Sequence, residues 1–386
     1  MQTLKIALTT IGCKLNQSEI QDLKQNLQDA GYIIVDKNKP HVLHIVNACS
    51  ITHGAEKITR QKIREVKRAN PHLQIFVMGC LNKIIPEINK VFKNKEEVFK
   101  FIKNKYQIQD PIPNAQCPIP KTRALIKIQD GCNFDCSYCI IKKFRGYSKS
   151  ISPKKIIAQI KSKEKTGYKE IVLVGVNILL YKFGKTDFIS LVRQILEQTN
   201  IQRIRFSSLD PRLISANFLA LLKNSRICPH LHLSLQSGSN KILKLMNRHY
   251  TTEKYLQIVK AARKINPLTS ITTDIIVGHP GETDNNFQET LSFVKKIDFL
   301  KIHIFPHSAR GLRCGQEKVE EKIKKQRFEK LNQLAKKQSQ KFFKKMKGKI
   351  MPVLFEQKET GYTPNYILVK KKTKANLANK IIDVKI

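Results

Sequence analysis

The sequence predicts an α/β protein: a small N-terminal parallel α/β domain, a central partial (β/α) barrel of the TIM type and a small C-terminal all-β module. Strand-like apolar segments alternate with helical segments in two successive series, which is the pattern of parallel sheets. A proline-rich stretch separates the two series, and only short strand-like segments follow the last long helix. We place the N-terminal domain at residues 1–110, the linker at 111–121, the barrel with a basic helical extension at 122–346, and the C-terminal module at 347–386.

The N-terminal domain is predicted from a βαβ rhythm. KIALTTI, HVLHIVNA and QIFVMG are apolar enough for buried strands. Between them lie a helix from Asn16 to Ala30 and a basic helix from Ala55 to Ala69, which an Asn-Pro pair stops. This order places the strands parallel in one small sheet.

The same rhythm returns from Thr122 to about Arg310 with longer units. The strand-like segments there are ALIKI, EIVLVGV, RIRFSSL, HLHLSLQ, TSITTDIIVG and FLKIHIFP. Their alternation with helices predicts a partial (β/α) barrel. Such barrels carry their chemistry at the carboxyl ends of the strands. Polar clusters follow these strands at that end: GC, VNI, SSLDP, QSGS and GHPGET.

The C-terminal part is predicted to be a basic helix followed by short strands. Residues 317–350 have helical periodicity, with an apolar stripe of Phe328, Leu331, Ala335, Phe342 and Met346. MPVLFEQ, TGYTPNYILVKK and KIIDVKI then read as short strands joined by turns. Basic residues outnumber acidic ones in both regions.

The charge of the chain points to a polyanionic partner. There are 71 Lys and Arg residues against 30 Asp and Glu, a formal net charge of +41 over 386 residues. Such an excess favours nucleic acid over an acidic small substrate. An A/T-biased coding sequence, which enriches Lys, Ile and Asn, is the competing explanation for part of it. The composition excludes a small disulfide-stapled domain and a disordered tail.

The sequence predicts a cytoplasmic protein without a membrane partner. No apolar run approaches the ~18 residues that a membrane-spanning helix needs. The first residues lack the basic, apolar and small-residue regions of a signal peptide. In a reducing cytosol, the nine cysteines are expected to bind metal or act in catalysis rather than form disulfides.

Cys132, Cys136 and Cys139 form a C-x3-C-x2-C triplet directly after the first barrel strand. Three thiolates at this spacing can hold three irons of a [4Fe-4S] cluster. No fourth Cys or His lies nearby in the sequence, so one iron would stay open for a cofactor or substrate. The alternatives are a zinc site completed by a distant residue and unligated buried thiols.

A second triplet is spread over the N-terminal domain. Cys13 in TTIGCKLNQSE, Cys49 in IVNACSIT and Cys80 in FVMGCLN each follow a predicted strand at its carboxyl end. Parallel strands bring such positions to one edge of a sheet. Any one of these residues alone would be interpreted as a buried core cysteine. Three at equivalent positions predict a second cluster with an open iron.

The first triplet, with Tyr138 before its last Cys, resembles that of the radical S-adenosylmethionine (SAM) enzymes. Both triplets, the barrel and the C-terminal module together resemble the methylthiotransferase family over essentially the whole chain. The resemblance implies an auxiliary-cluster domain, a radical SAM domain and a TRAM-like RNA-binding module. Its implied cofactors are two [4Fe-4S] clusters and SAM, with catalytic ligands Cys132, Cys136 and Cys139.

The implied reaction replaces the C2 hydrogen of a modified adenine with a methylthio group. One SAM molecule would methylate a sulfur on the cluster of Cys13, Cys49 and Cys80. A second would be cleaved to methionine and a 5′-deoxyadenosyl radical at the other cluster. The protein's task would be to align both clusters with the adenine and to exclude water.

Four segments are similar to the MtaB-type branch of the family, which modifies N6-threonylcarbamoyladenosine at position 37 of tRNA: TTIGCKLNQSE, VNACSIT, RQKIREVKRANP and KIQDGCNFDCSYCII. Where this chain has Lys14, Leu15 and Asn16, the isopentenyladenosine branch typically has Gln-Met-Asn and the ribosomal-protein branch Pro-Lys-Asn. IIKKFRG after Cys139 departs from the family pattern, which has a proline there. The TRAM-like module is also short.

The resemblance places SAM across the barrel strand ends. The expected contacts are Tyr138, Gly175, Val176, Asn177, Ser208, Gln236 and Gly278. The turn at Gly175 lies where the family's Gly-Gly-Glu-like motif meets the methionine amino group, and Gly278 lies in the glycine-rich segment near the adenine. An ordinary turn or helix cap is the alternative at these strand ends.

Other residues are given structural or RNA-binding roles. Cys117, Cys228 and Cys314 match no motif and are expected to be bystanders, and His232 is expected to face the barrel interior. The bases between Lys57 and Arg68 either form a solvated helix face or contact phosphates.

The expected partner is tRNA, recognised at adenosine 37 of its anticodon loop, where bases are unstacked. An electron donor such as flavodoxin or ferredoxin is also expected, and the sequence leaves the sulfur donor unidentified. Two alternatives keep the same chemistry, with isopentenyladenosine-37 tRNA or a ribosomal protein as substrate. A remote alternative is a non-catalytic, metal-containing RNA-binding protein, which would hold zinc and unfold when Cys132 is replaced.

Overall fold

The computed structural model describes residues 4–106, 122–308 and 318–386. The proposed linker at 111–121 lies outside the described residues, as do Cys117 and Cys314. The chain divides into two compact units: Met1–Ile119 with Ile140–Gly146, and Pro120–Cys139 with Tyr147–Ile386. Among the helices of the described ranges, none combines the length and apolarity needed to cross a bilayer.

The first unit is built on a five-stranded parallel sheet with the strand order β2-β1-β3-β4-β5. The strands are β1 (Lys5–Thr10), β2 (Ile33–Val35), β3 (Leu43–Cys49), β4 (Gln74–Cys80) and β5 (Lys90–Val91). The helices are α1 (Lys14–Asp29), α2 (His53–Ala69), α3 (Lys95–Lys105) and α4 (Ile141–Arg145). The predicted parallel α/β domain is therefore confirmed, with the two predicted helices found within two residues of their expected bounds.

Local sequence explains where these elements begin and what they bury. Thr52 caps α2 by accepting a hydrogen bond from the backbone of Ala55, 3.1 Å away, and Asn94 caps α3 in the same way. Every residue of β3 is buried, as expected for a central parallel strand covered on both faces. This packing fixes the carboxyl ends of the central strands.

The second unit contains the predicted partial barrel. Its parallel strands are β6 (Arg123–Lys127), β9 (Glu170–Val174), β12 (Arg203–Phe206), β13 (Ser208–Leu209), β14 (His230–Leu233), β15 (Ser270–Val277) and β16 (Lys301–Pro306). They form one sheet in the order β12-β9-β6 and another in the order β13-β14-β15-β16. Only Ser207 separates β12 from β13, so one chain segment joins both sheets. All six predicted strand segments are confirmed.

Helices and short pairings complete this unit. The short strands are β7 (Gln129–Asp130), β8 (Lys149–Ser150), β10 (Lys182–Phe183) and β11 (Thr186–Asp187). The helices are α5 (Pro153–Lys165), α6 (Phe188–Gln198), α7 (Ala216–Ala220), α8 (Asn240–Leu245), α9 (Thr252–Ile265), α10 (Asp284–Lys295) and α11 (Glu321–Met346), with 3-10 turns at Ile178–Leu180, Pro211–Leu213 and Leu221–Lys223.

The basic helix α11 buries most of the predicted stripe. Leu331, Ala335, Phe342 and Met346 are buried, whereas Phe328 is only half-buried. The buried face begins earlier than expected, with Lys324 and Arg327. Charged residues escape a search for apolar periodicity, and Arg327 is buried because it pairs with Glu282 at 2.8 Å.

The chain ends in a four-stranded antiparallel sheet, which confirms the all-β C-terminal part. Its strands are β17 (Ile350–Phe355), β18 (Thr360–Tyr362), β19 (Leu368–Lys370) and β20 (Ile381–Lys385), in the order β19-β18-β17-β20. Arg203 of β12 donates to the carbonyl oxygen of Pro352 at 2.7 Å, and Arg205 donates to that of Pro364 at 2.9 Å. This sheet is therefore anchored at the amino-terminal side of the barrel, away from the strand ends that precede the Cys132 loop.

Candidate functional site

The first unit brings Cys13, Cys49 and Cys80 to the carboxyl edge of three adjacent strands. Cys49 and Cys80 end β3 and β4 and are register partners across the two strands. Cys13 follows β1 and is the N-cap residue of α1. The predicted meeting of these three residues at one sheet edge follows from this topology.

Glycine lets the backbone around these thiols pack closely. Gly12 has φ +102°, and a Cβ built there would lie 2.9 Å from the Sγ of Cys49. Gly79 has φ +93°, and a Cβ there would lie 2.2 Å from the Oδ1 of Asn47 and 2.7 Å from the carbonyl oxygen of Ala48. Both positions therefore need glycine for conformation and for space.

Replacing Gly79 with alanine is expected to destabilise the first unit by about 1–3 kcal/mol, because the left-handed backbone and the contact with Ala48 oppose a Cβ. Denaturant unfolding of the full chain, followed by hydrogen exchange in β3 and β4, measures the effect. Gly54→Ala is the matched control, since a Cβ there meets nothing within 4 Å and alanine favours a helix. Equal stability of the two variants would contradict the tight approach at Gly79.

A polar network lies behind the first-unit cysteines. The Asn16 side chain donates to the carbonyl oxygens of Ile11 at 2.9 Å and Ala48 at 2.8 Å, and so ties β1 to β3. Arg145 of α4 pairs with Glu19 at 2.6 Å and donates from Nε to the Sγ of Cys80 at 3.4 Å. Burial raises the pKa of the Cys80 thiol to about 11, against the opposing charge of Arg145.

In the second unit, Cys132, Cys136 and Cys139 lie on the loop after β6 and β7. Cys132 is buried, Cys136 is half-buried and Cys139 is exposed. The loop is fixed by hydrogen bonds from the backbone of Ser137 to the carbonyl oxygen of Met246 at 3.2 Å and from Asn247 to that of Asp135 at 2.8 Å. Burial raises the pKa of the Cys132 thiol.

Two guanidinium groups face Cys136. Arg212 and Arg248 each place a nitrogen 3.7 Å from its Sγ, and both pair with the buried carboxylate of Asp210. Burial alone would raise the pKa of Asp210, but the hydrogen bonds from Arg212 and the charge of Arg248 hold it below its ordinary value. The carboxylate stays charged and orients both donors toward the sulfur.

The turn after β9 is held by Gln129, which precedes the Cys132 loop. Its Oε1 accepts a hydrogen bond from the backbone of Asn177 at 2.9 Å, and a Cβ at Gly175 would lie 2.7 Å from the same oxygen. Val176 lies between these two residues in the turn. The Oδ1 of Asn177 is buried without a hydrogen-bond partner among the described residues. A buried acceptor of this kind fits a ligand with a donor group.

Of the other expected SAM contacts, Ser208, Gln236 and Gly278 begin or follow barrel strands, and Tyr138 lies in the cysteine loop. Gln236 adopts φ +68°, an uncommon conformation for a residue other than glycine, and bonds to the backbone of β15. Gly278, at φ +72°, packs against Lys324. Ser208 begins β13, and Tyr138 packs beside Ile242 and Met246.

Neither triplet has the geometry of a site for one metal ion. Across residues 4–106, 122–308 and 318–386, no three Cys, His, Asp or Glu side chains converge closely enough for that. The irons of a [4Fe-4S] cluster occupy separate corners, so its thiolates stand further apart than the ligands of one ion. Three thiolates without a fourth protein ligand are a donor set that such a cluster accepts.

Several site residues were missed from the sequence: Gln129, Asp210, Arg212, Arg248, Glu19 and Arg145. Asp210 carried a signal, since it directly follows a barrel strand. Arg145 lies in the basic stretch that departs from the family pattern. The remaining residues contact partners that are distant in the sequence, so no local pattern identifies them.

His232 and Cys228, which the sequence analysis kept out of the candidate site, have neighbours of their own. His232 contacts Asp274 at 3.1 Å and Thr272 at 2.9 Å, and so ties β14 to β15. Cys228 is buried 3.9 Å from Glu170 and lies apart from both triplets in the sequence. On α2, Lys57 and Arg68 are exposed, while Arg64 pairs with Glu87 at 3.1 Å. The helix therefore exposes part of its positive charge.

Comparisons with known proteins give two family matches and close relatives. Residues 126–294 match the radical SAM superfamily, and residues 5–102 match the uncharacterized protein family UPF0004. The chain is 33% identical to a threonylcarbamoyladenosine tRNA methylthiotransferase MtaB of Aquifex aeolicus, over 95% of this chain and 97% of the relative. It is 36% identical to that of Chlamydia pneumoniae, over 93% and 89%. A tRNA-2-methylthio-N(6)-dimethylallyladenosine synthase of Thermodesulfovibrio yellowstonii is 33% identical, over 100% and 96%.

A solved structure supports the fold. The radical SAM methyltransferase TsrM of Kitasatospora setae, solved with cobalamin and a [4Fe-4S] cluster, aligns with a TM-score of 0.56 over 79% of this chain and 75% of that protein. At 12% sequence identity, this likeness concerns architecture alone.

Proposed function

Because the chain belongs to the radical SAM methylthiotransferase family, we propose that it transfers a methylthio group to C2 of N6-threonylcarbamoyladenosine at position 37 of tRNA. The observation that carries this proposal is the identity of 33% and 36% with two MtaB-type relatives over nearly their whole length. The product would be 2-methylthio-N6-threonylcarbamoyladenosine. A tRNA substrate agrees with the strong positive charge of the chain and with the cytoplasmic location expected from the sequence.

SAM and a [4Fe-4S] cluster are the cofactors of the radical SAM family. Cys132, Cys136 and Cys139 would hold this cluster, and when bound it supplies the electron for reductive cleavage of SAM. Arg212 and Arg248 would stabilise the thiolate of Cys136, because their donors face its sulfur.

The strand ends would then orient SAM. Asn177 would accept a hydrogen bond from the cofactor through its unpartnered Oδ1, and Gln129 would hold the turn that presents it. Ser208, Gln236 and Gly278 are proposed as further contacts, as is Tyr138, which lies in the cysteine loop and packs beside Ile242 and Met246. We propose that these residues bind and orient SAM and help to keep water away from the reacting atoms.

We also propose a second cluster on Cys13, Cys49 and Cys80, where the methylthio sulfur would be prepared. Three adjacent strand ends carry these thiols, and Cys13 is also the N-cap residue of α1. The proposed surfaces for tRNA are the exposed bases of α2 and α11 and the C-terminal sheet. Flavodoxin or ferredoxin is proposed as the electron donor.

Nucleoside mass spectrometry of tRNA tests the substrate. We expect 2-methylthio-N6-threonylcarbamoyladenosine to disappear from cells that lack this gene, with its unmethylthiolated precursor accumulating in equal amount. Expression of the intact chain should restore the product, whereas a chain with Cys132 replaced by alanine should not.

The same experiment separates the alternatives. Loss of the methylthiolated isopentenyladenosine alone would assign the chain to the branch of the Thermodesulfovibrio yellowstonii relative. Unchanged tRNA together with the loss of a methylthio group from a ribosomal protein would reject a tRNA substrate altogether. Retention of every methylthiolated product would reject the enzyme activity.

A further inference from the structure

Arg145 belongs to the first unit, and its largely buried side chain contacts one of the proposed cluster ligands. It ends the short helix α4, which belongs to the first unit although Cys139, in the second, lies only six positions earlier. Its side chain is 8% exposed and that of its partner Glu19 is 11% exposed. The pair is therefore largely removed from water.

Three contacts with two side chains fix the orientation of the guanidinium. Nη1 lies 2.6 Å from Oε1 of Glu19, and Nη2 lies 3.0 Å from Oε2 of Glu19 and 2.8 Å from Oδ1 of Asn16. A two-point pairing with a carboxylate fixes the plane of the guanidinium. With these contacts in place, Nε donates to the Sγ of Cys80 at 3.4 Å.

The charged donor at Cys80 suits an iron-bound cysteine better than a free thiol. A neutral thiol sulfur is a weak hydrogen-bond acceptor, whereas a thiolate is an anion that gains from a charged donor. An iron-bound cysteine is deprotonated and keeps negative charge on sulfur. The donor at Cys80 thus faces the group that would gain charge when iron binds.

We propose that Arg145 is a positioning residue of the second cluster that donates a hydrogen bond to the Cys80 thiolate and raises the reduction potential of that cluster. This inference rests on the proposed second cluster. Reduction adds one negative charge to a cluster, and a nearby cation with an N–H donor stabilises the reduced state more than the oxidised one. Hydrogen bonds to the sulfurs and local charge are established determinants of such potentials.

The test uses the full chain with Cys132, Cys136 and Cys139 all replaced by alanine, so that only the second cluster can assemble. The protein is reconstituted without oxygen from iron and sulfide, and its iron content and midpoint potential are measured by EPR-monitored titration. Arg145→Met is compared with Lys143→Met, which removes the same charge from an exposed position of the same helix. Arg145→Lys keeps the positive charge but removes the planar guanidinium that pairs with Glu19 at two points.

We expect Arg145→Met to shift the reduction equilibrium about tenfold toward the oxidised form, which is about 59 mV for one electron. Arg145→Lys should shift it less, and Lys143→Met should leave it unchanged. Glu19→Gln should shift it the opposite way, because it removes a negative charge near the cluster but keeps an oxygen that accepts from Arg145. A general loosening of the structure would not give shifts of opposite sign.

Three outcomes overturn the inference. Full iron content with an unchanged potential in Arg145→Met rejects the role of Arg145 and leaves the second cluster in place. A background protein that assembles no cluster rejects the second cluster itself. If Arg145→Met loses its iron, its potential cannot be measured, and the other two variants decide. Unchanged potentials in both Arg145→Lys and Glu19→Gln would then reject the proposed role of Arg145.

Discussion

Replacement of Cys132 by alanine is expected to abolish methylthiolation while the protein stays folded. The thiol is one of three in the loop that would hold the radical SAM cluster, and its replacement removes one of these three ligands. Changing a residue behind a metal ligand already costs up to about 100-fold in activity or affinity, so loss of the ligand should exceed that. The measurements are SAM cleavage to 5′-deoxyadenosine, methylthiolated nucleoside, iron content and circular dichroism.

Cys228→Ala is the matched control for this prediction. Cys228 is also buried in the second unit, but it lies beside Glu170 rather than in the cysteine loop. It should keep its iron and its turnover. With two clusters, Cys132→Ala should retain about half of the iron. An unfolded Cys132→Ala protein, with zinc in the intact chain, would instead support a structural metal site.

The sequence predicted those features that depend on local order. Strand and helix periods are set by neighbouring residues, so the βαβ rhythm alone was enough to place Cys13, Cys49 and Cys80 after their strands. Parallel topology then brings equivalent strand ends to one edge. The same reasoning located the Cys132 loop at the carboxyl end of β6.

Contacts between distant residues were not predictable in this way. Arg145 and Glu19 are 126 positions apart, and Arg248 and Asp210 are 38 apart. Such pairs form only in the folded chain. Neither partner belongs to a hydrophobic period that the sequence would reveal. Charged residues within strands are also expected to face water, whereas Arg205 and Glu170 are fully buried because each neutralises the other.

The buried cluster of charged residues around Glu170 is expected to contribute strongly to the stability of the second unit. Glu170 begins β9, and its Oε1 accepts from Nε of Arg123 and from Nε of Arg205, each at 2.7 Å, while Arg203 lies 3.9 Å from its Oε2. The same three arginines contact the C-terminal sheet. The Glu170 carboxylate therefore balances the positive charge of the arginines that link the barrel to the C-terminal sheet.

Glu170→Gln is expected to lower the free energy of unfolding of the second unit by about 3–5 kcal/mol, because it leaves buried arginines without a compensating charge. Denaturant unfolding with separate probes in β9 and β17 measures this loss. Glu356→Gln removes the half-exposed partner of Arg123 and should cost less than about 1 kcal/mol. If both variants lower the free energy of unfolding by similar amounts, the buried carboxylate stabilises the unit no more than the half-exposed one does.

The pH dependence identifies the charge of Glu170 as the cause. Burial would raise its pKa, but the charges of Arg205 and Arg123 lower it from 4.5 to about 2. A lowered folded-state pKa gives stability that is present above pH 4.5 and lost as the pH falls toward 2, in all about 3 kcal/mol. Other carboxyl groups titrate equally in the original chain and in Glu170→Gln, so the stability difference between the two should shrink across this window. A difference that stays constant from pH 7 to pH 2 would assign the loss to altered packing instead of charge.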